Sequence, residues 1–221
     1  MEISKVFNNN RTWIAEKLKG DETYFEQMAK GQSPEMLYIG CSDSRVTAEE
    51  LMGLGPGKVF VHRNIANLIP NNDLSAQSVI NYAVVQLKVR HLVVCGHYNC
   101  GGVKAAMAPA DLGPINPWLR NIRDVYRLHQ AELDGIADDG ERYNRLVELN
   151  VYEQCINALK SVEVQQAYQI GELSIHGWVF DLATGQLIDL QIDVDAIIEA
   201  VGDVIKLVDN IRRPSQNYSR G

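Results

Sequence analysis

Apolar and polar positions along the chain follow two periods, and the switches between them mark out its elements. Met36-Leu37-Tyr38-Ile39-Gly40 and His91-Leu92-Val93-Val94-Cys95-Gly96 are short continuous apolar runs, the pattern of buried strands. Val59-Phe60-Val61-His62 is a shorter strand between them. Asp73 or Ser75 caps a helical pattern through Val79, Ala83 and Leu87 that returns the chain to the strand at Leu92. Strand, helix, strand, helix, strand is the order of a parallel sheet with right-handed crossovers. Residues 173–180 read as a fourth strand, and Thr184-Gly185 turns the chain into a fifth. There Ile188, Leu190 and Ile192 alternate with Asp189, Gln191 and Asp193, which suits an antiparallel edge strand with one wet face.

The helical patterns fill the gaps. Thr47-Ala48-Glu49-Glu50 has the form of a capping box and opens a short helix that Gly53 and Gly55 stop. Gly101-Gly102 opens the next, followed by a long helix with Trp118, Ile122 and Val125 on one face and another over 146–159. Residues 134–140 read as an exposed loop between them, 196–211 as a last amphipathic helix, and 212–221 as a loose tail. The first 33 residues hold two helical patterns, around Trp13, Ile14 and Leu18 and around Tyr24, Phe25 and Met28, with little apolar mass of their own. The expected organisation is therefore a helical arm over 1–33, an α/β domain over 34–211 and the tail.

Composition narrows the function. At 221 residues and 46% hydrophobic, the chain can bury one substantial core. A net charge of -7 and a pI near 5.2 argue against nucleic acid and acidic membranes as partners, since either needs a basic footprint. The N-terminus lacks the pattern of a secretory signal, and no apolar run approaches the roughly 18 residues of a membrane span. Four cysteines, Cys41, Cys95, Cys100 and Cys155, make no disulfide framework and read as ligands plus core residues of a cytoplasmic protein.

The chemistry lies at two strand ends. Cys41-Ser42-Asp43-Ser44-Arg45 follows the first strand, and His97-Tyr98-Asn99-Cys100-Gly101-Gly102 follows the third. Parallel strands bring both loops to one edge, where two thiolates, an imidazole and a nearby carboxylate form a ligand set suited to zinc. Two cysteines and one histidine leave a position open, as catalytic sites do. Cys95 shares a face with His97 but reads as core, as does Cys155 in its helix. His91, His129 and His176 lack convergent ligands and read as structural or exposed, while His62 lies near the cleft as a candidate proton relay.

C-S-D-S-R at 41–45, H-R-N-I-A-N at 62–67 and G-H-Y-N-C-G-G at 96–102, with E-L-N-V at 148–151 and I-H-G-W at 175–178, resemble the β-class carbonic anhydrases. The resemblance covers about 32–193. It implies a sheet ordered 2-1-3-4 with an antiparallel fifth strand, assembled as a homodimer or homotetramer. It implies a zinc ion on Cys41, His97 and Cys100, and reversible hydration of CO2 to bicarbonate and a proton by a zinc-bound hydroxide. Asp43 and Arg45 would form a hydrogen-bonded gate, with Asp43 ligating zinc in a closed form. Gln32, Phe60, Ile65 and Gly101 would meet the substrate. One branch of the family adds a regulatory bicarbonate pocket; Gly40, Val46 and Arg63 match it, whereas Tyr38 and Phe180 stand where that branch has Trp and Tyr. Two other readings are a CS2 or COS hydrolase on the same scaffold and a non-enzymatic zinc- or bicarbonate-binding protein.

Overall fold

The structure, a computed structural model, describes residues 2–207. The described residues divide into two compact units, one up to Ser33 and one from Pro34. In the first, helix α1 (Ile3–Gly20) is followed by α2 (Tyr24–Ala29). Trp13, Tyr24 and Phe25 join them edge to face, with ring centroids 5.1 to 6.5 Å apart. No residue of either helix is buried, and Ile3, Val6 and Phe7 lie exposed along α1.

The second unit is built on a five-stranded sheet: β1 (Met36–Cys41), β2 (Val59–Asn64), β3 (His91–His97), β4 (Ser174–Asp181) and β5 (Gln186–Asp189). Its order is β2-β1-β3-β4-β5, parallel except for the β4-β5 pair. Leu37, Leu92 and Ile175 stand side by side in register and face the main core with Ile39, Val94 and Val179. Helix α8 (Asp139–Leu159) covers this face through Val147, Val151 and Cys155. It comes so close that a methyl group at Gly96 would stand 2.7 Å from Val151, and one at Gly177 would stand 3.0 Å from it. Alternation sends Tyr38, Val93, Cys95, Trp178 and Phe180 to the opposite face, where the short α3 (Ala48–Leu51) packs.

The structure corrects several local expectations. Thr47 caps no amide of α3; its hydroxyl donates instead to Glu50 Oε2 at 2.9 Å. The helix capped by Asp73 is regular only over α4 (Leu74–Asn81), then widens into a π turn over Tyr82–Gln86 that sets the Tyr82 ring 5.7 Å from Phe60. After α5 (Gly101–Met107) and α6 (Asn116–Leu128), the stretch expected as a loop holds the end of α7 (Gln130–Asp134). α8 begins early because Asp138 accepts from the Glu141 amide. After α9 (Val162–Gln169), β4 and β5, the fifth strand stops at Asp189 because Gln191 turns left-handed at φ 52. Leu190 and Ile192 are still half-buried, as their alternation requires. α10 (Val194–Ile205) starts at its Asp193 cap and ends sooner than expected, where Lys206 turns left-handed at φ 54; the expected stretch beyond 207 and the tail lie outside the described residues. Among the described residues no helix is long and apolar enough to cross a membrane.

Candidate metal centre

β1 and β3 are adjacent, and the strand order reverses between them, with β2 beyond one and β4 beyond the other. The loops leaving their carboxyl ends therefore diverge and open a crevice. Cys41 is the last residue of β1 and His97 the last of β3. Asn99, left-handed at φ 58, turns the chain so that Cys100 faces the crevice as the residue before α5. The Cys100 carbonyl accepts from the Tyr143 hydroxyl at 2.7 Å, which ties this turn to α8.

The Cys41 and Cys100 sulfurs are 3.9 Å apart, and with a His97 nitrogen all three donor atoms lie within 4.8 Å of one another. His97 Nδ1 lies 2.9 Å from the Tyr98 carbonyl, so the proton sits there and the Nε2 lone pair points at the sulfurs. His97 is 1% exposed, and its Nε2 has no hydrogen-bond partner among the described residues. A buried nitrogen left unpaired is costly unless another group takes it. Two sulfurs about 2.3 Å from one tetrahedral ion would lie about 3.8 Å apart, so the donor set fits a zinc-like cation.

The electrostatics agree. The neighbouring Cys100 thiol, then His97 and the amides of Ala66 and Asp43, outweigh burial and pull the Cys41 thiol down to about 4. Cys100 is pushed up by Cys41 and by burial, so the free pair gives up its first proton readily and its second with difficulty. Burial would lower His97, but the Cys41 sulfur, the Tyr98 carbonyl and Asp43 carry it above its ordinary value. A cluster that concentrates negative charge in this way offers a site to a cation.

Asp43 stands at the rim, its Oδ2 3.8 Å from His97 Nε2. Arg45 grips it with two parallel bonds, Nε to Oδ1 at 2.9 Å and Nη2 to Oδ2 at 2.7 Å, and its amide adds a third. This guanidinium holds the Asp43 carboxyl well below the usual range. Arg63 secures the same loop from below, donating to the Cys41, Asp43 and Val46 carbonyls at 2.5 to 2.8 Å.

Other residues singled out by sequence fall into two groups. Ile65 is close, since a methyl at Gly102 would stand 2.7 Å from it, and Gly101 faces open space beside Cys100. Tyr38, Gly40, Arg63 and Val46 are neighbours of the Cys41 loop, with the Tyr38 ring over Gly40 and Phe180 opposite His97 in register. Phe60 lies opposite Leu37, four residues or about 13 Å down β2 from Asn64. Gln32 is exposed and belongs to the first unit. His62 is half-buried with Nε2 3.2 Å from the Asn64 amide nitrogen, and burial lowers its pKa. His91 and His176 pair at 3.0 Å and His129 meets Glu153 at 2.8 Å, away from the cluster. Sequence reasoning missed Tyr143 and the Ala66 amide. A tyrosine on a helix gives no sign of its partner, and a backbone donor has no side-chain signature.

Comparison with known proteins agrees with this geometry. The family described as carbonic anhydrase matches residues 36–187. A carbonic anhydrase of Emericella nidulans is 61% identical over 204 residues, covering 92% of this chain and 90% of that protein. The solved β-carbonic anhydrase CafA of Aspergillus fumigatus superposes with a TM-score of 0.83 at 39% identity, covering 90% of this chain and 97% of that one. A Coccomyxa β-carbonic anhydrase in complex with acetazolamide gives 0.80 at 42%, over 86% of each chain. Strand order, ligand cluster and kinship point the same way: this chain belongs to the β-class carbonic anhydrases.

Proposed function

We propose that the chain catalyses the reversible hydration of CO2 to bicarbonate and a proton, with one zinc ion held by Cys41, His97 and Cys100. The observation that carries this reading is the buried His97 Nε2, without a hydrogen-bond partner among the described residues and facing two sulfurs 3.9 Å apart. When bound there, zinc supplies a Lewis acid that brings the pKa of water to about 7. The side chains do the rest. Asp43 Oδ2 accepts a hydrogen bond from the reacting water and so aims its lone pair at carbon. Arg45 keeps that carboxylate off the metal, and releasing it gives a closed form in which Asp43 becomes a ligand. Ile65 offers an apolar wall to an uncharged substrate, and Gly101 leaves room beside Cys100. The assembly is a homodimer or homotetramer; a similar Sordaria macrospora enzyme is described as tetrameric. Four free, buried cysteines suit the reducing cytoplasm.

The test is stopped-flow CO2 hydration from about pH 6 to about pH 9, with metal measured on the same sample. Wild type should carry one zinc per chain, and Cys100→Ala should lose metal and activity together. A metal-replete, fully active Cys100→Ala protein overturns the ligand set. Faster turnover of COS or CS2 than of CO2 would favour the hydrolase reading.

Bicarbonate should inhibit weakly. Arg63 already spends its Nε and Nη2 protons on three carbonyls, so a nearby bicarbonate gains them only by loosening the 41–46 loop. Phe180 brings no hydroxyl to help. Inhibition should strengthen in Phe180→Tyr; strong inhibition of wild type, unchanged in the variant, contradicts this account.

A further inference from the structure

The turn that follows β2 is held in an unfavourable shape. Ala66 and Asn67 are left-handed in succession, at φ 65 and φ 51, and both are buried. Neither is a glycine, and L residues with a Cβ avoid this region. Something must hold them there.

The surroundings show what does. Asn64 closes the turn at its base, its side chain donating to the Leu68 carbonyl and accepting from the Leu68 amide, each at 2.7 Å. The peptide plane before Ala66 is pinned by Trp118, whose Nε1 donates to the Ile65 carbonyl at 2.8 Å. The plane after it is pinned by Asn150, whose Nδ2 donates to the Ala66 carbonyl at 3.0 Å. With both flanking planes fixed, the φ and ψ of Ala66 are fixed as well.

Asn150 is 1% exposed on α8, and one turn on lies Gln154, 2% exposed. Gln154 donates to Asn150 Oδ1 at 3.4 Å and accepts from the Ile69 amide at 2.7 Å. Two buried amides on an otherwise apolar helix face are an expensive choice unless their partners matter. What they reach is the turn that packs against both cysteine loops: a methyl at Gly102, two residues beyond Cys100, would stand 3.3 Å from the Ala66 Cβ, and the Ser42 amide beside Cys41 donates to the Asn64 carbonyl at 2.8 Å.

We propose that Asn150 is a positioning residue for the metal centre: it holds the left-handed Ala66 turn in place against the loops that carry Cys41 and Cys100. It touches neither metal nor substrate. Without it the second peptide plane is free, Ala66 relaxes toward an ordinary conformation, and the turn shifts against both cysteine loops. This inference rests on the ligand set proposed above and adds a supporting residue to it.

The experiment uses full-length protein loaded with zinc for chelator competition and with cobalt(II) for the sulfur-to-metal charge-transfer band. Asn150→Ala should weaken zinc binding by about tenfold or more and shift the cobalt band, as lost supporting contacts do at metal sites. Adding Ala66→Gly should restore much of both, because glycine holds the left-handed turn unaided. Trp118→Phe, on a half-exposed side chain, should shift both readouts in the same direction by less, and it serves if Asn150→Ala does not fold. If wild type binds zinc tightly but these variants leave affinity and band unchanged, or Ala66→Gly fails to rescue them, Asn150 only packs α8 and the inference is wrong. If wild type takes up no zinc or cobalt, the failure is of the ligand set itself.

Discussion

At the scale of single residues, the centre depends on how each donor's second contact is arranged. Arg45 is the clearest case, because its bidentate grip, with its own amide, holds the Asp43 carboxylate at the rim, 3.8 Å from His97 Nε2. Arg45→Ala should keep its zinc but lose activity by about tenfold or more, with an oxygen from Asp43 replacing solvent at the metal. Zinc-edge absorption showing unchanged solvent ligation would contradict the gate. A second prediction concerns His176, whose pKa is lowered by burial and by the facing His91, with Asp189 opposing. A base held below its unfolded pKa binds fewer protons folded than unfolded, so stability rises with pH from its folded value up to about 6.5 and is flat above. His62 acts in the same sense. Urea midpoints across this range should slope in wild type and slope less in His176→Asn; an equal slope would count against the pair.

At the scale of elements, the approach of α8 to the sheet sets the tightest constraint. Gly96 precedes His97 of the cluster, and an added methyl would meet Val151 at 2.7 Å and Val147 at 3.4 Å. At Gly177 it would meet Ile192 at 2.6 Å and Val151 at 3.0 Å. Overpacking of this kind costs about 1 to 3 kcal/mol. Gly96→Ala and Gly177→Ala should each lower stability by that amount in urea melts, and Gly96→Ala should also weaken zinc binding because β3 carries the ligand. Equal zinc affinity in the two variants would separate helix packing from ligand placement. The strands and long helices were legible because their apolar runs and periods are strong. The π turn after α4 was not, since one inserted residue leaves the pattern through Val79 and Ala83 intact.

At the scale of the whole molecule, two surfaces ask for cover. β2 is an edge strand paired on one side only, and α1 exposes Ile3 at 68% and Phe7 at 62%. Open edges and apolar helix faces are usually covered in a soluble assembly. The chain should sediment as a dimer or larger at micromolar concentration, and Phe7→Asp should shift it toward smaller species. A monomeric wild type, or an assembly indifferent to Phe7→Asp, would remove the arm from the interface.

The sequence by itself determined the order of elements along the chain, the two loops that carry Cys41, His97 and Cys100, and the Asp43-Arg45 pair. These depend on local pattern: apolar runs fix strands, crossovers fix their direction, and Asp43 and Arg45 are near enough in the chain to meet without help from the fold. Tertiary structure alone decided what holds those loops in place. Arg63 finds three carbonyls of the 41–46 loop, Tyr143 finds the Cys100 carbonyl 43 residues away, and Asn150 finds Ala66 across 84. Each of these bonds ends on a backbone atom. A carbonyl or amide is the same at every position, so no residue type in the sequence announces which one a distant side chain will reach.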